Sequence, residues 1–326
     1  ENNQYAGKTH FVDAYLSTPI KQNIQWIIGT DFRYGSYNQT YESISQWGPY
    51  NDAFKDTFQY QTALYTSLLI NDASNKWLLE LGGRSNKHNR YGSNQTFTIS
   101  PSYKLNANIR FMASASTGYK APSLYQLSYN DALKPEQSFN TEIGMEYKTT
   151  PLFFRAVYYN RTIDNGIDYN YIDYNFFNFI QQKVNGLEIE IQHPINEQHQ
   201  FSLNYTLMNG QETNQNRVTT TDTITYNYLL KRPKNTAGIQ WTYEVSAKLN
   251  FSMAARYIGK RYDVGGYAAA DVSLKSYTLL NAHIQYKLNK HLLLYADGQN
   301  LGNTVFQEIN GYNAMGRMLM LGLRLK

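Results

Sequence analysis

In Ile24 to Tyr34 one parity carries Ile24, Trp26, Ile28, Thr30 and Phe32, and this alternation of apolar with polar positions recurs in fifteen stretches along the 326 residues. A period of two sends successive side chains to opposite faces of a strand, so each stretch has one apolar and one polar face. Phe58 to Ile70 and Leu249 to Gly259 repeat the pattern clearly, and Phe201 to Leu207, Ala237 to Tyr243, Ala282 to Leu288 and Leu319 to Leu325 follow it. A soluble sandwich would show the same alternation. Its strands, however, average about 5 to 6 residues, and these stretches run to 10 to 13. No run approaches the roughly 18 apolar residues of a membrane-spanning helix.

The connections point the same way. Short turns fall near residues 19–22, 71–75, 106–108, 149–151, 194–198, 244–246 and 289–291. Long connections fall at 35–56, 87–94, 119–138, 164–177, 211–230, 260–276 and 303–314, so short and long alternate strictly. Outer-membrane β-barrels place short turns on the periplasmic side and long loops outside the cell. The expectation is an all-β, transmembrane antiparallel barrel wall. Fifteen is an odd number, so the first and last strands run in the same direction and cannot pair antiparallel to seal a barrel. The reading is of a chain that continues before Glu1.

Composition narrows the function classes. The chain has no Cys, hence no disulfide framework and no thiolate metal site. Its 30 Tyr and 15 Phe suit membrane interfaces, where amphipathic rings collect. The net charge of +5 is spread among acids, which argues against nucleic acid as a partner. Asp164, Asp168 and Asp173 lack the spacing of a calcium loop and read as solvated loop acids. Six histidines are scattered, three of them (His193, His199, His291) at short turns, and no catalytic set converges. The chain reads as no enzyme. A passive porin or fatty-acid channel shares the alternation but not the motifs that follow.

Ser116-Thr-Gly-Tyr-Lys-Ala-Pro-Ser-Leu-Tyr-Gln-Leu127, Leu133-Lys-Pro-Glu-Gln-Ser138 and Thr141-Glu-Ile-Gly-Met-Glu-Tyr147 resemble the barrel of TonB-dependent outer-membrane receptors. The carriers are Lys120, Ala121 and Pro122, then Leu133, Pro135 and Glu136. Gly186 in Val184-Asn-Gly-Leu-Glu-Ile189, Arg232 and Pro233 in Lys231-Arg-Pro-Lys-Asn235, Asn300 in Asn300-Leu-Gly-Asn303, and Gly316 with Arg317 fit the same family. The chain ends Leu325-Lys326, where the family usually ends in an aromatic residue. The resemblance implies residues 1–326 as strands 8 to 22 of a 22-stranded, plugged barrel, with plug, TonB box and seven strands before Glu1. It also implies a Gram-negative outer membrane, the TonB complex as partner through that plug, and surrounding lipid and lipopolysaccharide. A surface lipoprotein partner is a further analogy.

Within the family, residues 163–168, 257–263 and 311–317 look most like cobalamin (vitamin B12) receptors, while Arg261-Tyr262-Asp263 and the Gly311-Tyr-Asn-Ala-Met-Gly-Arg317 ending are shared with some ferric-siderophore and haem receptors. The resemblance implies no cofactor in this chain, cobalamin as the transported ligand, and calcium only in the missing early strands. A large planar-cored ligand calls for aromatic faces on the outer loops with a few polar groups for orientation. The candidates are Trp47, Tyr50, Tyr125, Tyr129 and Tyr171 in the first half, and Tyr228, Arg261, Tyr262, Tyr267 and Tyr312 in the second. Tyr37, Tyr169 and Phe176 lie in the same loops, and many such rings belong to an aromatic girdle. Lys120, Arg232, Lys260, Arg261 and Arg317 stand near strand tops, suited to lipopolysaccharide phosphates or to an anionic ligand.

Overall fold

A computed structural model describes residues 1–170, 172–219 and 222–325. Its elements run β1 (Asn2–Lys21), β2 (Ile24–Ser45), β3 (Gly48–Asn71), β4 (Trp77–His88), β5 (Gly92–Lys104) and β6 (Ile109–Lys120). The helix α1 (Leu124–Tyr129), β7 (Glu136–Lys148), β8 (Phe153–Asp164), β9 (Ile167–Asn170), β10 (Asn175–Asn178) and β11 (Gln181–Pro194) follow. Then come β12 (His199–Gln215), β13 (Thr223–Tyr226), β14 (Asn235–Glu244), β15 (Leu249–Ile258) and β16 (Arg261–Asp263). Last are β17 (Val272–Leu274), β18 (Tyr277–Lys287), β19 (Leu292–Gln299) and β20 (Met318–Leu325). Among the described residues fifteen strands follow one another in the main sheet in chain order, with β13 added beside β12. That is the number the alternation predicts.

The chain divides into two compact units, and β6, β7, β8 and β11 each contribute one end to either. The first unit holds Glu1–Tyr103, Ala113–Thr141 and Arg161–Gln182. Its strands outrun the expectation: β1, β2 and β3 are 20, 22 and 24 residues long. The connection read as a loop over 35–56 is an extension of the β2–β3 hairpin, paired up to Ser45↔Gly48. The pairing runs on through Tyr37, Gln39, Tyr41 and Ser43, across a register shift between Tyr37 and Gln39. The connection at 119–138 contains α1, the one at 164–177 contains the β9–β10 hairpin, and the one at 87–94 shrinks to a tight turn between His88 and Gly92.

The second unit holds Lys104–Met112, Glu142–Asn160 and Lys183–Lys326. Its register shows why the alternation matters. Phe201 pairs with Trp241, Trp241 with Met253, and Met253 with Ala282, while Leu203, Ile239, Ala255 and Leu280 form the next row of the same face. The opposite face carries Gln200, Thr242, Ser252 and His283 in register, and His283 Nδ1 lies 2.7 Å from Asp297 Oδ1. One face is thus fit for hydrocarbon and the other for a wet lumen. At the turn side the apolar face ends in a ring stack, His199 with Tyr243 at 4.2 Å and with Trp241 at 5.7 Å. At the loop side it ends at Tyr205 and Tyr257, both in register with Ala237. Here too the expected loops are partly strand: β12 runs on to Gln215 and pairs with β13, and β16 pairs with β17.

Gly186 is required by close approach. A Cβ there would lie 2.5 Å from both Leu207 O and Tyr159 Oη, so any side chain would push two strands and a ring apart.

Candidate ligand-capture site

The aromatic candidates of the first unit assemble around α1. Ser123 caps the helix: its Oγ accepts from Gln126 N at 3.2 Å and Gln126 Oε1 accepts from Ser123 N at 2.9 Å, a reciprocal capping box. The buried Leu124 and Leu127 turn inward against Leu133, with Tyr37, Ile167 and Phe176 packed around them. The helix period therefore leaves Tyr125 and Tyr129, four residues apart, side by side on the outer face. Their rings lie 5.2 Å apart, edge to face, and their hydroxyls 3.3 Å apart. Phe176 stands 5.9 and 5.5 Å from them, Tyr169 is 5.1 Å from Phe176, and Tyr37 meets Tyr125 edge-on at 6.1 Å.

Backbone clamps hold this cluster. Asn130 Nδ2 donates to Phe176 O at 2.8 Å, and Asn178 both accepts from Lys134 N at 2.8 Å and donates to Lys134 O at 2.9 Å. Tyr91 Oη donates to Leu133 O at 2.9 Å. The hydrogen bond from Tyr125, then burial, lifts the Tyr129 phenol above its ordinary range, so it stays neutral. Tyr125 and Tyr129 are each 42% exposed. The result is a neutral aromatic platform, half open to the outside.

The other first-unit candidates do not join it. Trp47 sits at the tip of the β2–β3 hairpin, 89% exposed, and Tyr50 lies tilted against Tyr41 with ring centres 6.0 Å apart. Tyr171 lies outside the described residues. Lys120 and Glu136, two of the motif residues, form an ion pair at 2.6 Å, and Pro122 is fully buried. The Lys-Ala-Pro and Leu-x-Pro-Glu motifs thus brace the platform from beneath. Ala121 and Pro135 are half-buried beside them.

In the second unit, Tyr228 and Tyr262 stack at 3.9 Å, and Lys260 Nζ lies 5.0 Å from the Tyr262 ring centre. Behind them stands an ion network that the alternation did not reveal. Arg217 donates to Asp271 Oδ2 at 2.6 Å and to Glu212 Oε1 at 2.5 Å, and its guanidinium covers the Tyr226 ring at 3.9 Å. Tyr228 Oη donates to the same Asp271 oxygen at 2.8 Å. Burial opposes the Arg217 charge, yet Asp271 and Glu212 outweigh it and hold the guanidinium above its ordinary range. Burial, then the Asp271 hydrogen bond, lifts Tyr228. Arg261 is a correction: read as a loop group for ligand, it is 4% exposed, donates through Nη2 to Gln307 O and lies over Tyr277. A short strand, β16, draws it inward. Tyr267 and Tyr312 are 68% and 70% exposed on the loops. Asn300, at φ 46°, ties its own loop by exchanging hydrogen bonds with Thr304 at 2.9 Å, and Arg317 N donates to Asn303 Oδ1 at 3.0 Å beside Gly316. Arg232 and Pro233 lead into β14.

Long antiparallel strands with one apolar face, aromatic rims and elaborated loops at one end define the wall of an outer-membrane β-barrel receptor. The chain belongs to the TonB dependent receptor-like β-barrel family, whose model matches residues 1–301. It is 26% identical over 257 residues to the vitamin B12 transporter BtuB of Vibrio cholerae serotype O1, a match covering 76% of this chain and 40% of that protein. The chain thus spans less than half the length of that relative. In fold it is similar to the ferric enterobactin receptor PfeA of Pseudomonas aeruginosa in complex with enterobactin, with TM-score 0.77 and 19% identity, covering 98% of this chain and 54% of that one. The ferripyoverdine receptor of the same organism gives TM-score 0.79 at 18% identity, covering 99% and 49%. The family places the chain in the outer membrane of a Gram-negative bacterium.

Proposed function

We propose that this chain is the wall and outer capture surface of a receptor that imports cobalamin, with plug, TonB-contacting segment and the remaining strands supplied by sequence before Glu1. The observation that carries the reading is the neutral platform of Tyr37, Tyr125, Tyr129, Tyr169 and Phe176. Rings held edge to face offer area at low conformational cost and suit a broad macrocycle. An anionic ferric catecholate would call for cations there, and the platform's rings carry none. The 26% identity to a vitamin B12 transporter supports the same cargo. The role is transport, with capture by the loops followed by passage gated through the plug and energised by TonB.

The test is equilibrium binding of labelled cyanocobalamin to cells displaying the full-length receptor. Replacing Tyr125 and Tyr129 together by Ala should weaken binding at least tenfold while the folded receptor stays in the outer membrane. Ferric siderophore uptake, which the shared Arg261-Tyr262-Asp263 motif leaves as the competing reading, wins if cyanocobalamin fails to bind and ferric enterobactin or ferripyoverdine does.

A further inference from the structure

Beneath the platform of the first unit, on the same face of β2, stands an arginine without an acid. Arg33 has the parity of Asp31 and Gly35, opposite to the apolar row of Ile24, Trp26, Ile28 and Phe32, so it faces the lumen. Tyr37 of the platform lies four residues further along that face, about 13 Å up the strand, and only Gly35 stands between them. A Cβ at Gly35 would touch nothing closer than Lys8 O at 3.9 Å, so the way down is open.

Two cavities, of about 230 and 360 Å³, share Arg33, Asp31 and Arg84 in their walls. Arg84 donates through Nη1 and Nη2 to Asp31 at 2.6 and 3.0 Å and through Nε to Asn86 Oδ1 at 2.6 Å, which engages its whole guanidinium and balances the buried Asp31. Arg33 makes no ion pair among the described residues and stands 5.1 Å over the Phe11 ring centre. Asp13, which accepts from Tyr65 Oη at 2.7 Å, lines only the wider cavity. The smaller cavity therefore carries one surplus positive charge. It also holds a donor with nothing to bond. Tyr119, directly before the Lys120-Ala121-Pro122 motif, lines this cavity, and its hydroxyl is buried without a hydrogen-bond partner among the described residues. A buried hydroxyl left unpaired is costly unless a ligand completes it.

We infer that these cavities take the nucleotide tail of the cargo while its macrocycle lies on the platform above. One surplus cation and one neutral hydroxyl match a monoanionic phosphodiester, with Arg33 and Tyr119 donating to its free oxygens. In the wider cavity the 53% exposed Phe11 offers a ring face to the base, and Asp13 offers an acceptor to a ribose hydroxyl. A trianionic ferric tricatecholate would leave two charges unmatched there. The inference rests on the cobalamin reading and adds the half of that molecule which neutral rings do not distinguish.

The experiment is equilibrium binding of radiolabelled cyanocobalamin and of radiolabelled dicyanocobinamide, which keeps the corrin ring but lacks phosphodiester, ribose and base, to cells displaying the full-length receptor. The wild type should prefer cyanocobalamin at least tenfold. Arg33→Gln should weaken cyanocobalamin at least tenfold and leave dicyanocobinamide unchanged, so the second ligand doubles as the control for folding. Arg33→Lys, which keeps the charge, should hold most of the preference, and Tyr119→Phe should lose several-fold for cyanocobalamin alone. An intact preference in Arg33→Gln would overturn the assignment and give this guanidinium to another anion, such as a carboxylate of the plug. Equal weakening of both ligands would overturn it by making Arg33 a support of the platform. Equal binding of both by the wild type would remove the tail site and leave the cargo reading standing, whereas binding of neither would overturn the cargo reading and the inference together.

Discussion

The two units solve the same problem, a rigid outer surface above a barrel wall, with opposite chemistry. The platform around α1 is held by apolar packing and backbone hydrogen bonds and presents neutral rings. The region around Arg217 is held by buried charges and borders a cation-lined cavity. Where rings must stay exposed, their support is a small leucine core. Where Arg217 is buried, Glu212 and Asp271 balance its charge. The difference separates a surface held by apolar packing from one held by buried charge.

The largest effect should come from Arg217→Met. With the Glu212 and Asp271 side chains only 6% and 3% exposed, removing the guanidinium that both bind takes its charge away from two buried carboxylates and should cost about 3 to 5 kcal/mol. Urea unfolding of the receptor in detergent measures it; a loss under about 1 kcal/mol would mean the charges are solvated and the contrast between the units is false. Next, Leu203→Arg places a charge on the apolar face and should cost about 2 to 4 kcal/mol near the bilayer midplane. Neutrality there would reverse the assignment of faces.

Phe176→Ala sharpens the comparison from the other side. It removes the ring that touches Tyr125, Tyr129 and Tyr169, and each such aromatic pair contributes about 0.5 to 1.5 kcal/mol beyond area. Cargo binding should weaken several-fold with the folded receptor still in the outer membrane. The smallest effect concerns pH. Tyr228 titrates higher in the folded protein than as a free phenol, so its contribution is complete below about pH 10 and is lost only as pH climbs through the raised value. An ultraviolet tyrosinate titration should show a late-ionising group of phenols, Tyr129 and Tyr228 among them, and Tyr228→Phe should remove one phenol from that group. A titration identical in both proteins would place Tyr228 in solvent.

Much of the wall was legible because a strand's period is two and one face meets lipid: the alternation of Phe201, Leu203 and Tyr205 gives face and register together. The extent of β2 and β3 was harder to see. Beyond Tyr34 the pairing runs on through Tyr37, Gln39 and Tyr41 across a register shift, and these residues are polar enough to read as loop. The platform was half legible, since Tyr125 and Tyr129 stand out as rings, but their partners Tyr37 and Phe176 come from connections distant in sequence. The Arg217 network was invisible for the same reason. Arg217 and Asp271 are 54 residues apart, and nothing local marks either as buried. Arg261 misled because a three-residue strand looks like loop in sequence.

The long β2–β3 hairpin carries its strands roughly 30 Å past Gly35, and β3 pairs with β4 only from Gln61 onward. Its far edge over residues 48–59 has no neighbouring strand among the described residues. A flat, unpaired edge held in the medium invites other copies to stack on it, the first step of aggregation. Here the edge begins Gly48-Pro49-Tyr50-Asn51-Asp52, with a residue that has no N–H to donate, weak strand formers and a charge. What looks like poor strand sequence keeps a protruding ribbon from sticking to its own kind in a crowded membrane.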